Sequence, residues 1–417
     1  MLELFDRETL ETRLLKGEQK RIMMSTTGKA KSLTIGFSFI EGFYWMSFAA
    51  IMGFSSLYLL DNGFSNTEIG MIIAIAGIIS AVLQPLLASY ADKPESMSLK
   101  NMILGLSGIQ LVLGAMLFLT YQKLFVLTGV FYGCLVTILQ LMTPLINSLG
   151  MESLNQGKKL NFGLARGMGS AAYAAAAYAL GIWIAGLGAR FVPISIIAAY
   201  SVFLVSLLLL FPFEKETKKI SENVKKKSDS PIAFLRRYKR FSIVLVGCIL
   251  VYISHVLLNS FTFQIVERKG GGSPEMGVAM ALASLIELPT LFLFSFMLKK
   301  VRCDIWFRIS GIFFMLKSLG TFLAPTIPVF YGVQAFQLLG WALITVSSVY
   351  YVNSIMDRRD AIKGQAYMTM TYTIGSVIGA LLGGALIDLA GVNAMLLFAT
   401  GSAVLGMVIM LLAAQKA

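Results

Sequence analysis

Charge is scarce in this chain. Only 14% of its 417 residues are Asp, Glu, Lys or Arg, where soluble domains carry about 25%. That shortfall excludes a set of soluble domains, which would need more polar surface than the chain supplies. Histidine occurs once and cysteine three times, at Cys134, Cys248 and Cys303, far apart and without metal or disulfide spacing. Zinc, haem and iron–sulfur chemistry therefore lack ligands, and no metal or other cofactor is expected. No nucleophile-and-base constellation is apparent, so the chain reads as a non-enzyme. No soluble sensing domain stands out, which argues against a receptor. No cleavable leader is expected either. Residues 1–31 are charged, and the apolar run after them is too long for a signal h-region.

What the chain has instead is long apolar runs. Hydrophobic residues make up 57% of it. They fall in runs of about 20 or more, the length that crosses a ~30 Å hydrocarbon core at ~1.5 Å per residue. Spans are predicted at 33–60, 67–90, 101–120, 124–147, 161–186 and 191–213. A second set is predicted at 241–265, 276–298, 305–325, 329–355, 365–388 and 393–414. The expected fold class is an all-α membrane protein, with twelve transmembrane helices in two six-helix bundles. The expected organisation is an N-terminal segment (1–32), a first bundle (33–213), a basic linker (214–240) and a second bundle (241–417). The N-terminal segment fits either an amphipathic surface helix or a disordered tail. The lysines, serines and Pro231 of the linker suit a solvated connection.

The formal charge of +13 invites a nucleic-acid reading, but that needs a basic face on a soluble fold. Here the basic residues sit in short segments between apolar runs, so no nucleic-acid partner is expected and the charge reads as topology. With the N-terminus inside, Lys123, Arg190, Arg268 and Lys269 fall outside. Arg166, Arg308 and Lys317 lie within spans, and all the other Lys and Arg residues fall inside. This bias predicts a multi-pass protein of the cell membrane with both termini and the linker cytoplasmic.

The two halves resemble each other. NGFSNTEIGMIIAIAG follows span one and GGGSPEMGVAMALAS follows span seven, which aligns Glu68 with Glu275 and Gly70 with Gly277. Span five begins NFGLARG and span eleven IKGQAYM, so Gly163 and Ala165 answer Gly364 and Ala366. A parallel repeat of this kind places a substrate site near the midplane, between the halves. Small-residue patterns in spans five (Gly163, Gly167, Gly169) and eleven (Gly375, Gly379, Gly383, Gly384) predict close helix packing.

Ionisable residues inside spans cost roughly 2.5–3.5 kcal/mol each on insertion scales and mark candidate functional sites. Four stand out: Glu41 in span one, Arg166 in span five, Glu287 in span eight and Lys317 in span nine. Two acids and two bases suggest pairing, Glu41 with Arg166 and Glu287 with Lys317. Either pair fits a static packing element or a carboxylate that takes up a proton when its partner turns to substrate. Glu287 is the preferred proton carrier because Pro289 softens its helix. Arg308, near a membrane edge, is expected to snorkel. His255 is the sole histidine and fits either a hydrogen-bonded packing residue or a proton handler. Phe43, Tyr44 and Trp45 follow Glu41 and suit either helix packing or ring stacking. Glu68, Glu275, Glu152, Asp357, Arg358 and Arg359 lie at membrane boundaries, as solvated charges or gate ion pairs.

Two motifs bring in a family. QPLLASYADK, Gln84 to Lys93, and FGLARGMGSAAY, Phe162 to Tyr173, resemble segments of the major facilitator superfamily, specifically its lactose-permease-like oligosaccharide–proton symporters. The likeness runs over nearly the whole chain and is clearer in the first six spans. It implies a secondary active transporter with a small-molecule substrate and protons as partners, acting as a monomer. It places Arg166 at a sugar-binding arginine and Tyr173 at a ring-stacking aromatic position. It sets His255 near a charge-paired acidic position, Asn259 near a glutamine and Lys317 at an arginine. Substrate hydroxyls would then meet Arg166, Asn259 and Glu287, with Tyr44 and His255 as further contacts. Asp92 and Lys93 fall in the superfamily's gating loop, whose following residues, PESMSLK, depart from the pattern. Ser148 replaces an acidic sugar ligand. Gln337 and Gly340 stand where the family keeps its histidine–glutamate proton pair, so any proton route must differ. The expectation is proton-coupled uptake of a sugar, an oligosaccharide or a related polar solute. The alternative is a proton-linked exporter of amphipathic compounds.

Overall fold

The computed structural model describes residues 33–91, 95–155, 160–211 and 231–416. The expected N-terminal segment, most of the linker and the gating residues Asp92 and Lys93 lie outside them. Among these described residues, eleven helices are long and apolar enough to cross a membrane. They are α1 (Leu33–Gly53), α2 (Asn66–Ala91), α3 (Leu99–Thr120), α4 (Phe125–Leu154), α5 (Phe162–Leu187), α6 (Phe191–Leu209), α7 (Lys239–Ser260), α8 (Ser273–Lys300), α9 (Cys303–Leu323), α10 (Ile327–Ile355) and a final long helix that continues to Ala413. That last helix runs over Arg358–Ala413 and is broken at Gly391, where φ is 80° and ψ 172°. Such a backbone is one that glycine adopts readily and L side chains resist. It divides the run into α11 (358–390) and α12 (392–413), giving twelve spans.

Local chemistry explains several of these boundaries. Ser98 caps α3 by accepting from the Asn101 N–H, and Asn161 caps α5 by accepting from the Leu164 N–H. Glu68 and Glu275 each cap their own helix, accepting at 2.8 Å from the N–H of Ser65 and Gly272 respectively. The repeat extends further than the sequence match indicated. α1 ends in a π-helical turn (Ala49–Gly53), breaks at Phe54 and resumes over Ser55–Asp61. α7 breaks at Phe261 and resumes over Thr262–Arg268. Gly63 and Gly270, both at positive φ, end these matching pieces.

Much of the outer surface is apolar, as Leu389, Leu412 and Leu209 illustrate, which suits a lipid environment. Polar groups inside the bundles find backbone partners: the Tyr132 hydroxyl donates to Ile51 O at 2.6 Å and Tyr58 to Leu117 O at 3.1 Å. Arg308 lies 3.8 Å from Asp304 and donates to the Ala414 carbonyl, tying α9 to the end of α12.

The bundles meet along two seams, α2 against α11 and α5 against α8. Both are closed on the side opposite the start of α1 and the end of α12, where glycines face backbone. A side-chain carbon on Gly70 would overlap Ala380 O, and one on Gly384 would overlap Asn66 O. The second seam repeats this, with Gly277 against Ala177 O and Gly181 against Ser273 O. Ser273 also donates its hydroxyl to Gly181 O at 2.9 Å. The first seam carries an additional clamp. The Asp388 carboxylate of α11 accepts from the N–H and side chain of Asn66 (3.3 and 2.8 Å) and of Thr67 (2.7 and 2.6 Å). It thereby caps α2 across the interface between bundles.

Candidate functional site

Glu41 lies on α1 and is 1% exposed. Trp45 follows one turn later on the same face, and its indole N–H donates to Glu41 Oε2 at 3.0 Å. The Arg166 guanidinium of α5 sits over the Trp45 ring, 4.1 Å from its centroid, a cation–π contact. Gly169, one turn beyond Arg166, makes room for that ring: a side-chain carbon there would lie 2.5 Å from Trp45 Cδ1. The direct Glu41–Arg166 pair expected from the sequence is thus replaced by an acid–indole–guanidinium stack. Glu41 Oε1 and one terminal nitrogen of Arg166 are buried without a protein partner.

The second bundle repeats the theme with other residues. Lys317 of α9, 5% exposed, donates to the Gln337 Oε1 of α10. Gln337 Nε2 in turn donates to Glu287 Oε1 of α8 at 2.8 Å. The expected Glu287–Lys317 pair is therefore bridged by a neutral amide. Gln337 can reach both because α10 is discontinuous, a departure from the continuous span predicted. Its first turns (Ile327–Val333) pass into a 3₁₀ segment (Gln334–Leu338), and the α-helix restarts at Trp341 after a non-helical Gly340. Such mid-span breaks relax the helical ladder and aim side chains inward.

The four charges form one array. Arg166 interacts electrostatically with both Glu41 and Glu287, although Glu287 belongs to the other bundle. Tyr173 of α5 is in the same relation to Glu287 and to Tyr372 of α11. Glu287, Arg166 and Tyr173 each keep part of their surface accessible, and Tyr372 is 38% exposed.

The remaining sequence candidates separate. His255 is 7% exposed and stacks on Trp341 at 4.3 Å with the rings 2° from parallel, its edge toward Phe314. The Asn259 side chain donates to His255 O at 2.7 Å. With Lys317, Thr321 and Gln334, Asn259 lines a small cavity of about 20 Å³ inside the second bundle, enough for a single water. Tyr44 stands apart. It is 1% exposed, and its hydroxyl donates to Leu139 O of α4 at 2.9 Å and contacts Thr143. One position before Trp45 turns its side chain about 100° round the helix, into the first bundle's core. Trp341 and Tyr372 were not singled out from the sequence; Trp45 was weighed there as packing or ring stacking, and Gln337 through the family resemblance alone. The i, i+4 spacing of Glu41 and Trp45 was a usable signal. Gln337 is invisible to a search for intramembrane charge, and only the family resemblance pointed to its position. Among the described residues, no group of three or more His, Cys, Asp or Glu comes close enough to hold a metal ion.

Comparison with known proteins supports the fold. A point mutant of the nucleoside transporter NupG superposes with a TM-score of 0.76, at 16% identity, covering 93% of this chain and all of that one. An auto-inhibited peptide transporter of the POT family gives 0.66 at 12% identity, covering 91% of this chain and 96% of its own. A bacterial metal transporter gives 0.64, also at 12%, covering 93% of this chain and 98% of its own. No curated protein sequence matches the chain. The family model that does match is broader than the oligosaccharide–proton symporters suggested by the sequence motifs. It spans residues 37–399, both bundles and all four intramembrane charges, and by that match the chain belongs to the MFS_1 like family, with the fold of MFS-type transporters.

Proposed function

We propose that this chain is a proton-coupled uptake symporter for a polar, hydroxyl-bearing solute: a sugar, an oligosaccharide or a related compound such as a nucleoside. It works by alternating access in the cell membrane, with both termini cytoplasmic, as a monomer. The observation that carries the reading is Glu287, an intramembrane carboxylate hydrogen-bonded in one bundle and electrostatically joined to Arg166 and Tyr173 of the other. A solute between the bundles that engages Arg166 weakens that guanidinium's hold on the carboxylates, which then take up a proton more readily. Rocking of the two bundles about the array carries both to the opposite side. The nucleoside transporter among the structural neighbours favours ring-bearing, hydroxylated solutes, and Tyr173 and Tyr372 provide aromatic faces for one.

The test is solute-driven proton movement in proteoliposomes across a panel of sugars and nucleosides. The expected result is alkalinisation of the compartment that supplies the solute. Glu287→Gln should lose proton-driven accumulation while retaining solute exchange. Arg166→Ala should lower apparent affinity by at least tenfold. Pumping of amphipathic dyes without solute-driven alkalinisation would mark an exporter and overturn the reading, as would unchanged transport in both variants.

A further inference from the structure

The small cavity inside the second bundle has a donor and acceptor pattern that selects its occupant. It is walled by α7 and its continuation, α8, α9 and α10. The Thr262 hydroxyl donates to Leu258 O at 2.8 Å and the Thr321 hydroxyl to Lys317 O at 2.8 Å. Gln334 Nε2 donates to Phe330 O at 3.3 Å. With these hydrogens turned to the backbone, the side-chain oxygens of Thr262, Thr321 and Gln334 are left as acceptors. Lys317, which also lines the cavity, is opposite in character. Its ammonium donates to Gln337 and has two further N–H groups to give. A cation here would face the ammonium, and an anion would face three sets of lone pairs. An apolar group would leave all of them without a partner. An O–H group fits, because it accepts from Lys317 and donates to a threonine or glutamine oxygen. The volume, about 20 Å³, admits one such oxygen.

We propose that this cavity is a subsite for one hydroxyl group of the transported solute. The source of that hydroxyl rests on the reading of the chain as a carrier of hydroxylated solutes; the chemistry of the cavity does not. The cavity adjoins the space between the bundles. Asn259, in its wall, is exposed, and Met280, also in its wall, sits between the bundles against Gly53. Two small residues of α8, Ala279 and Ala283, leave the cavity its room. Ala283 precedes Glu287 by one helical turn, about 6 Å along the axis. A sugar ring held at Glu287 and Arg166 can extend a hydroxyl over that distance. An analogue lacking the hydroxyl leaves Lys317 and the acceptor oxygens to water, and loses the contacts that a matching solute makes. Water and a solute hydroxyl share one chemistry, so the two sources are separated by experiment.

The test has two arms, both on the full-length protein. The first reads the chemistry of the cavity without transport. Ala283→Thr and Ala283→Val add the same shape and differ by one hydroxyl. The Thr variant should have the higher detergent-solubilised Tm, by about 1 °C or more, the reverse of the order in an apolar core. Ala279→Thr and Ala279→Val repeat the comparison should the first pair fail to fold. The second arm reads the source of the hydroxyl. Uptake into proteoliposomes is measured for glucose and uridine, each against its monodeoxy analogues. Removal of one particular hydroxyl should cost about tenfold or more in apparent affinity, and Thr321→Val should shrink that loss below about threefold without altering the others. A Val variant as stable as the Thr variant overturns the hydroxyl site. A loss that is not specific to one position, or that is indifferent to Thr321→Val, assigns the cavity to water alone and overturns its place in solute binding. Absence of any carried sugar or nucleoside overturns the symporter reading and with it the solute as the source, while the first arm still decides the chemistry of the cavity.

Discussion

Trp45 illustrates how a single side chain can organise two buried charges. Its N–H donates to one oxygen of Glu41 while its ring face holds Arg166. These two functions reside in different atoms, so they separate by mutation. Trp45→Phe keeps a ring for Arg166 but leaves Glu41 without its donor. Losing the partner of a buried polar group costs about 1–3 kcal/mol, more where the group is charged. We expect Trp45→Phe to lower the detergent-solubilised Tm, measured by differential scanning fluorimetry, and Glu41→Gln in the same background to recover part of the loss. If Trp45 were only packing, Trp45→Phe would behave like any volume reduction and Glu41→Gln would not compensate. At this scale sequence reading found the charged members, Glu41, Arg166, Glu287 and Lys317. It gave no bridging role to the neutral members between them, Trp45 and Gln337, because Trp and Gln occur throughout membrane helices for ordinary packing reasons.

The elements that matter most are those that break or approach closely. α10 is interrupted at Gln334–Gly340, and α1 and α7 break at Phe54 and Phe261. At the seams, Gly70, Gly277, Gly181 and Gly384 bring helix backbones into contact, and the obstructing atoms are carbonyl oxygens that cannot move without shifting a helix. Gly384→Val should therefore hold the bundles apart on the side opposite the start of α1 and the end of α12. A readout is labelling of Met280→Cys by a membrane-impermeant maleimide, after the three native cysteines are replaced by serine. Met280 sits between the bundles against Gly53 and is 9% exposed. We expect labelling to rise at least tenfold with Gly384→Val, and an unchanged rate would show that the seam absorbs the added volume. The glycine pattern of span eleven was legible as close packing. Its partner was not, because small-residue spacing says how near a neighbour comes but not which helix it is.

Across the whole molecule the two seams are not equivalent. The α2–α11 seam has the Asp388 clamp on the N-terminus of α2, whereas at the α5–α8 seam the contact from the N-terminus of α8 is the Ser273 hydroxyl donating to Gly181 O. A side-chain cap is worth about 0.5–2 kcal/mol, or a factor of roughly 2–30 in a two-state equilibrium. Asp388→Ala should shift the population by that factor toward the state open on the far side. The same Met280→Cys labelling would read it, with the tightest effect at neutral pH, where the carboxylate is charged. An unchanged labelling rate would assign the clamp to local helix capping alone.

By itself the sequence determined that this chain crosses a membrane about twelve times, that its halves repeat, and that four charges lie inside the spans. These follow from hydrophobic run length, local spacing and the cost of burying charge, all of which act along the chain. Only the tertiary structure decided that no acid touches its expected base, that a tryptophan and a glutamine stand between them, and that α10 is broken where the glutamine is needed. It also moved Tyr44 into a bundle core and set Tyr372 near Tyr173. Those outcomes depend on which faces of non-neighbouring helices meet, and helical spacing constrains a face without naming its partner.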